Sequence, residues 1–160
     1  DVEETGKDFE ENAILKAKNA FTKTNISSVG DDSGLIVPAI NDEPGLYSAR
    51  YAGLNATDSD NRNKLISKLK DKKLESTYAY FFCCIVAVGI KDQNEVLVCD
   101  GKVEGEVRTI ERGEKGFGYD PMFYPKGYSE SFAELNSLEK NKISHRGQAL
   151  KKLMDKLNKT

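Results

Sequence analysis

Three groups of residues in this 160-residue chain have the types and spacing that chemistry needs. The first is acidic: Glu11 in "DFEEN" and the doubled Asp31 and Asp32 in "SVGDDSGLIV". Hard divalent cations take oxygen ligands, and Mg²⁺ in particular is held by one or two carboxylates together with substrate phosphates and waters. A helix carboxylate meeting a strand-end carboxylate would make such a site. Side chains of an extended chain alternate between faces, so two neighbouring aspartates point to opposite sides if the strand runs through them. The same residues also fit a plainer reading, with Glu11 a solvated helix residue and the aspartates a capping or turn device.

The second group is the glycine-rich run "GEKGFGYDP" at 113–121. No Gly-Lys-Ser/Thr closes it and no G-x-G-x-x-G opens a helix, so it is neither a P-loop nor a dinucleotide fingerprint. Its glycines free the backbone to approach a ligand, and Phe117 and Tyr119 are flat surfaces on which a base could stack. A glycine-rich hairpin loop with core aromatics fits it as well. The third group, "SHRGQALKKL", opens a helix with Ser144, the only histidine, His145, and Arg146. Unpaired N–H groups and the positive dipole end at such a terminus favour electron-rich groups, and a guanidinium and an imidazole add to that. Here the plainer reading is Ser144 as a cap and Arg146 as a surface residue. A Ser-His-Asp hydrolase built from Ser33, His145 and Asp120 is not supported, because "GDDSG" is not the G-x-S-x-G of a nucleophile elbow.

Elements must hold these residues in place. Phe9, Ala13, Ile14, Ala17, Ala20 and Phe21 recur at helical intervals after two plausible caps, Thr5 and Asp8, which predicts a helix ending near Asn25. A short strand should lead into Asp31, with a turn at Ser33-Gly34. "LIVPAI" should then form an edge or bulged strand because Pro38 cannot donate to a ladder. "NDEPGLYSARYAG" reads as an irregular loop. Thr57, Asp58 and Ser59 cap a helix with Leu65, Ile66 and Leu69 inward. Residues 78–90 and 95–107 read as two long strands joined at "KDQN", the first apolar on both faces and hence central. A helix is expected around Phe132 to Leu138, and another from Ser144 with Ala149, Leu150, Leu153, Met154 and Leu157 inward. Paired strands flanked by helices predict an α/β or α+β sheet protein.

Bulk composition narrows the function classes. A 17.8 kDa chain that is 38% apolar suits a single domain over 1–160. Its net charge of −2, with 31% charged residues of both signs, gives no global basic field for a nucleic acid polymer or an anionic membrane. Cys83, Cys84 and Cys99 form neither a C-x-x-C metal pattern nor a disulfide framework and read as reduced core thiols. The apolar run "FFCCIVAVGI" is ten residues long, short of the roughly 20 needed to span a bilayer. With no charged-then-apolar leader at its start, the chain is expected to be cytoplasmic.

Several stretches then coincide with one family. "TGKDFEENAILKAKNA", "GDDSGLIV", "PGLYSARYAG", "GKVEGEV", "GFGYDPMF" and "AELNSLEKNKISHRGQALKKL" resemble, in order and spacing, the inosine triphosphate pyrophosphatases, house-cleaning enzymes for deaminated purine nucleotides. The resemblance implies an α/β fold with a long mixed sheet and flanking helices in two lobes around a central cleft, usually as a homodimer. It implies Mg²⁺-dependent hydrolysis of ITP, dITP or XTP to the nucleoside monophosphate and pyrophosphate. Carried over, Glu11 and Asp32 look like metal ligands, Asp32 is also the proton acceptor for the attacking water, and Asp31 has a supporting role. Ser33, Phe117, Gly118, Tyr119, Asp120, Lys140, His145 and Arg146 look like substrate contacts, with Phe117 the stacking surface. Lys140, His145 and Arg146 look like the corner that meets the base and its sugar-phosphate. The family also opens with a strand and a Ser/Thr-x-Asn-x-x-Lys loop that holds the triphosphate, and the residues present start after that point. An N-terminally truncated domain is therefore expected, with a catalytically impaired purine nucleotide-binding module as the alternative to an active enzyme. A related pyrophosphatase acting on pyrimidine or methylated nucleotides is a more distant reading.

Overall fold

The computed structural model describes residues 2–159. Its helices and strands are α1 (Phe9–Thr24), β1 (Ser28–Val37), β2 (Glu43–Pro44), α2 (Asp58–Asp71), β3 (Ser76–Val88), β4 (Val96–Arg108), β5 (Phe123–Pro125), α3 (Ser137–Ile143) and α4 (His145–Asn158). The strands form one open sheet in the order β2-β1-β3-β4-β5. Pairing is antiparallel at both edges: Ile36 lies opposite Pro44 in β1 and β2, and Glu106 opposite Tyr124 in β4 and β5. β3 is central, as its apolarity on both faces predicts, and its residues from Cys83 to Val88 are all buried. The fold is thus an α/β sheet with flanking helices.

α1 begins where Asp8 Oδ1 accepts from the Glu11 N–H at 2.8 Å and ends at Asn25, which adopts the left-handed conformation at φ 54°. Ala13 and Ala17 are fully buried, so the helix backbone lies directly on β1. A Cβ at Gly30 would meet Ala13 O and Ala17 N, each at 2.6 Å, so only glycine permits that approach. α2 starts with a reciprocal capping box: Thr57 Oγ1 accepts from the Asp60 N–H, and the Asp60 carboxylate accepts from the Thr57 N–H.

Four local expectations give way. No turn interrupts the chain at Ser33-Gly34; β1 runs through it, because Leu35, Ile36 and Val37 are buried and their packing outweighs the local preference of one glycine. Pro38 sits outside the sheet, opening a 3₁₀ turn over Pro38–Ile40 where its missing N–H costs nothing. The helix expected around Phe132 starts instead at Ser137, where Asn136 Oδ1 caps the Glu139 N–H at 2.9 Å; Phe132, Ala133 and Leu135 fill the core from an irregular segment. On α4, Ala149 and Leu153 are buried and Leu157 packs beside them, while Leu150 and Met154 are about half exposed. The buried stripe is one i, i+4 row wide, and a rotation of about 100° per residue carries 150 and 154 off it. The short β5, which follows the glycine-rich run, is an element the sequence does not predict.

By internal contacts the chain divides into two units. The first holds the residues up to Ser33, Phe82–Lys102 and the chain from His145 onward. On one face of its strands Cys83, Ile85, Ala87 and Cys99 pack on Ala149 and Leu153 of α4. On the other face Cys84, Val86 and Val88 pack on Ala13 and Ala17 of α1. All three cysteines are free and buried, as expected of core thiols. The second unit, Gly34–Phe81 with Val103–Ser144, has its own core, in which the rings of Phe81, Phe123 and Phe132 meet at 4.7 to 5.9 Å. Among the described residues no helix is long and apolar enough to cross a membrane.

Candidate functional site

In the first unit β1 passes straight through the doubled aspartate, so the two carboxylates fall on opposite faces of the strand. Asp32 faces α1. It is only 6% exposed, and both of its oxygens are engaged: Oδ1 accepts from Lys16 Nζ at 2.9 Å and Oδ2 from Asn12 Nδ2 at 3.2 Å. Lys16 Nζ also donates to the Asp31 carbonyl at 3.0 Å and pairs with Glu4 Oε1 at 2.6 Å. Burial pushes the Asp32 carboxyl above the ordinary carboxylate range, against the opposing pull of the Lys16 ammonium. Burial also works against the Lys16 charge, but Glu4 and Asp32 together hold the ammonium above its ordinary value. The result is a shielded carboxylate touching a cation, the environment that tunes a general base.

Glu11 occupies the first turn of α1, next to the Asn12 that binds Asp32. It is exposed, and its Oε2 accepts from the Lys7 N–H at 2.7 Å, closing the helix start. Among the described residues no group of three or more His, Cys, Asp and Glu side chains is gathered to hold a metal unaided. A Mg²⁺ carried in by phosphates needs only one or two protein carboxylates, and each carboxylate oxygen has lone pairs beyond those used here. The oxygen-only donors Glu11 and Asp32 fit that requirement.

Asp31 faces α4. Its Oδ2 accepts from both Nε and Nη2 of Arg146, at 3.2 and 2.9 Å. Ser33, two residues on, shares that face of the strand, and the Cys83 thiol of β3 lies within reach of Ser33, Asp31 and Arg146. Burial is what chiefly pushes that thiol up. His145, half-buried, is the first residue of α4 and precedes Arg146.

The second unit holds the glycine-rich loop. Phe117 is 61% exposed, with the Lys140 ammonium 4.8 Å from its ring centroid. Buried Asp120 ties the loop together: its Oδ2 accepts from the Phe117 N–H at 3.0 Å and from Lys140 Nζ. Gly116 adopts φ +74°, and a Cβ there would lie 2.1 Å from Asp120 Oδ2, so the turn demands glycine. Gly118 is clamped from α2, its N–H donating to Asp58 Oδ2 and its carbonyl accepting from Arg62 Nη1, both at 2.8 Å. Tyr119 is not an open stacking surface. It is 4% exposed and its hydroxyl donates to the Ser48 carbonyl at 2.7 Å, while burial raises its pKa.

The expected residues therefore divide: Glu11, Asp31, Asp32, Ser33, His145 and Arg146 lie in the first unit, and Phe117, Gly118, Tyr119, Asp120 and Lys140 in the second. Lys140 and Arg146, close in sequence, are paired with different acids. Sequence reasoning missed Lys16 and Asn12, which bind Asp32, and Asp58 and Arg62, which brace Gly118. A signal for the first pair existed: Asn12 and Lys16 are one helical turn apart and flank the buried Ala13 and Ala17 row, so their polar ends meet whatever β1 presents.

The Ham1 family pattern matches residues 1–156. A dITP/XTP pyrophosphatase of Idiomarina loihiensis is 46% identical over 159 residues, covering 99% of this chain and 79% of the relative. One of Bacillus anthracis is 46% identical over 157 residues, covering 98% of this chain and 78% of the relative. Among solved structures, a HAM1 protein from Coxiella burnetii superposes with a TM-score of 0.92 at 44% identity, covering 100% of this chain and 81% of that one. The Staphylococcus aureus Ham1 protein superposes with a TM-score of 0.89 at 46% identity, covering 99% and 80%. With its pattern matched almost end to end and its fold shared with these structures, the chain belongs to the Ham1 family.

Proposed function

We propose that this chain hydrolyses deaminated purine nucleoside triphosphates, the ITP, dITP and XTP class, to the nucleoside monophosphate and pyrophosphate. The relatives named dITP/XTP pyrophosphatases support the substrate class. The observation that carries the chemistry is the buried Asp32 carboxylate held at 2.9 Å from the Lys16 ammonium. A water oxygen bonds to the α-phosphorus, the α–β anhydride bond breaks, pyrophosphate leaves, and the water's proton passes to Asp32. Negative charge accumulates on the phosphoryl oxygens as this happens, and a fixed ammonium such as that of Lys16 stabilises it. Mg²⁺, when bound, would be held by Glu11 and Asp32 and would neutralise charge on the same oxygens.

The second unit offers a base the exposed Phe117 ring with its Lys140 cation, and the first unit offers acceptors the His145 and Arg146 donors. Hypoxanthine and xanthine carry a 6-oxo acceptor where adenine carries an amino donor, so fixed N–H donors would leave adenine's amino group unsatisfied. Rejection of an analogue that strands buried polar groups can reach about 10⁴-fold. Tyr119 and Asp120 contribute by shaping the loop that presents Phe117, and Ser33 by its place beside Asp31 on β1. The whole of 1–160 acts as one nucleotide pyrophosphatase domain, working in the cytoplasm as a homodimer; light scattering on the purified chain tests the dimer.

The deciding assay incubates the chain with ITP, dITP or XTP and Mg²⁺ and identifies the products. Pyrophosphate with the monophosphate is the expected result. Orthophosphate released alone overturns the reading, and IMP binding without any turnover turns it into that of a binding module.

A further inference from the structure

We infer that Asp31 is a positioning residue for Arg146, setting the plane in which that guanidinium meets an electron-rich ligand. The inference deepens the pyrophosphatase reading and rests on it for the identity of the ligand. It starts from an asymmetry in β1. Of the two adjacent aspartates, Asp32 is buried against α1 and meets Lys16, whereas Asp31 is 42% exposed in its side chain and meets Arg146, itself 47% exposed. An exposed ion pair contributes little to stability, because solvent screens it and two long side chains must be ordered to make it. The fork on Asp31 therefore has little to do for the fold.

Its geometry is specific in another way. One oxygen, Oδ2, takes the Nε–H and one N–H of Nη2. A guanidinium carries its N–H donors in one rigid plane, and here the edge formed by Nε and Nη2 is committed to Asp31. Holding that edge fixes the plane in which the rest of the group points. Arg146 stands in the first turn of α4, where the helix N–H groups already favour an acceptor, and His145 precedes it. Asp31 is itself anchored through its backbone, since its carbonyl accepts from Lys16 Nζ at 3.0 Å. The residue that aims Arg146 is thus one peptide unit from Asp32, so the side chain that orients the guanidinium and the side chain that receives the water's proton are neighbours on one strand, β1.

The test is a double-mutant cycle on the intact chain, with steady-state hydrolysis of ITP and calorimetric titration of IMP. Asp31→Asn should raise KM and the IMP dissociation constant about tenfold, with kcat falling less than threefold. Asp31→Glu, which keeps an acceptor of the same charge, should restore most of the affinity. In an Arg146→Lys background, which has no fork to hold, Asp31→Asn should add less than twofold. Unchanged IMP affinity in Asp31→Asn, or full additivity with Arg146→Lys, overturns the inference. A loss confined to kcat also overturns it, since that would place Asp31 in the chemistry. A separate readout does not depend on catalysis: the Nε–H proton of Arg146 followed by ¹⁵N NMR should be protected from exchange in the parent and lose protection in Asp31→Asn. If the parent neither binds IMP nor turns over ITP, the functional reading fails while this signal still decides the pairing, and an unchanged signal sinks it.

Discussion

Two lysine–aspartate pairs, one in each unit, look alike in composition and differ in everything around them. Lys16 meets Asp32, the Asp31 carbonyl and Glu4, so its ammonium sits among oxygen acceptors. Lys140 meets Asp120 and the faces of Phe117 and Phe132, so its ammonium sits among aromatic rings. The first pair gathers more negative than positive charge around a buried carboxylate and suits phosphate chemistry with a cation. The second presents an exposed ring on a braced loop and suits recognition of a flat base. The lesson is that an ion pair's role is read from its remaining neighbours rather than from the pair itself.

The largest expected effect breaks the first pair at its acid. Asp32→Asn keeps the size and much of the hydrogen bonding but cannot accept a proton, so kcat for XTP should fall by about 10² to 10⁴-fold, the range for a positioned base. Pyrophosphate release under saturating substrate measures it, and an unimpaired variant removes Asp32 from the mechanism. The second pair should respond in stability before anything else. Lys140→Met leaves the Asp120 carboxylate, 5% exposed, without its cation, and removing one partner of a buried pair costs about 3 kcal/mol. A shift in the urea midpoint reports that loss. The equivalent Lys16→Met should cost less, because the Lys16 side chain is 29% exposed and Asn12 still binds Asp32.

How legible these pairs were in the sequence follows from how local their signals are. α1 was readable, with its start left open between Thr5 and Asp8 and its end placed near Asn25, because its cap residues and its alanine stripe are all contained in one segment. β3 was readable as central because a strand apolar on both faces has no alternative place. The failures involve competition between local and distant terms. Gly34 looks like a turn in isolation and lies in a strand because its neighbours Leu35 to Val37 are needed in the core. Phe132 looks helical and instead fills a cluster with Phe81 and Phe123, while Asn136 dictates the later helix start. Among the candidate site residues, Asp32 was legible through its neighbours in the motif, whereas Lys16 had only the weak signal of its one-turn spacing from Asn12, since its partner is fixed by β1 passing beneath α1. Tyr119 shows the limit of residue type as a guide, since its ring resembles that of Phe117 in sequence and is buried where Phe117 is exposed.

The smallest expected effect is the one that distinguishes the two pairs most directly, and it is a shift in pH dependence rather than a loss of rate. Burial raises the folded-state pKa of Asp32, so the protonated, inactive form persists above the ordinary carboxylate range, and the acid limb of kcat/KM should lie correspondingly higher. Lys16 opposes that shift, so in Lys16→Met burial acts with less opposition and the residual activity should have its acid limb at still higher pH; Lys140→Met should leave the limb where it is. Stability follows linkage. A carboxyl whose pKa is raised on folding binds its proton more tightly when folded, so its contribution is greatest below the ordinary carboxylate pKa. That contribution declines as pH rises to the raised value and is constant above it. Lys16, whose pKa is also raised on folding, contributes stability throughout the neutral range and loses it as pH rises through its folded value. Melting temperatures across pH should therefore show an alkaline decline in the parent that Lys16→Met weakens, and an identical decline in both would deny Lys16 its partnership with Asp32 and Glu4.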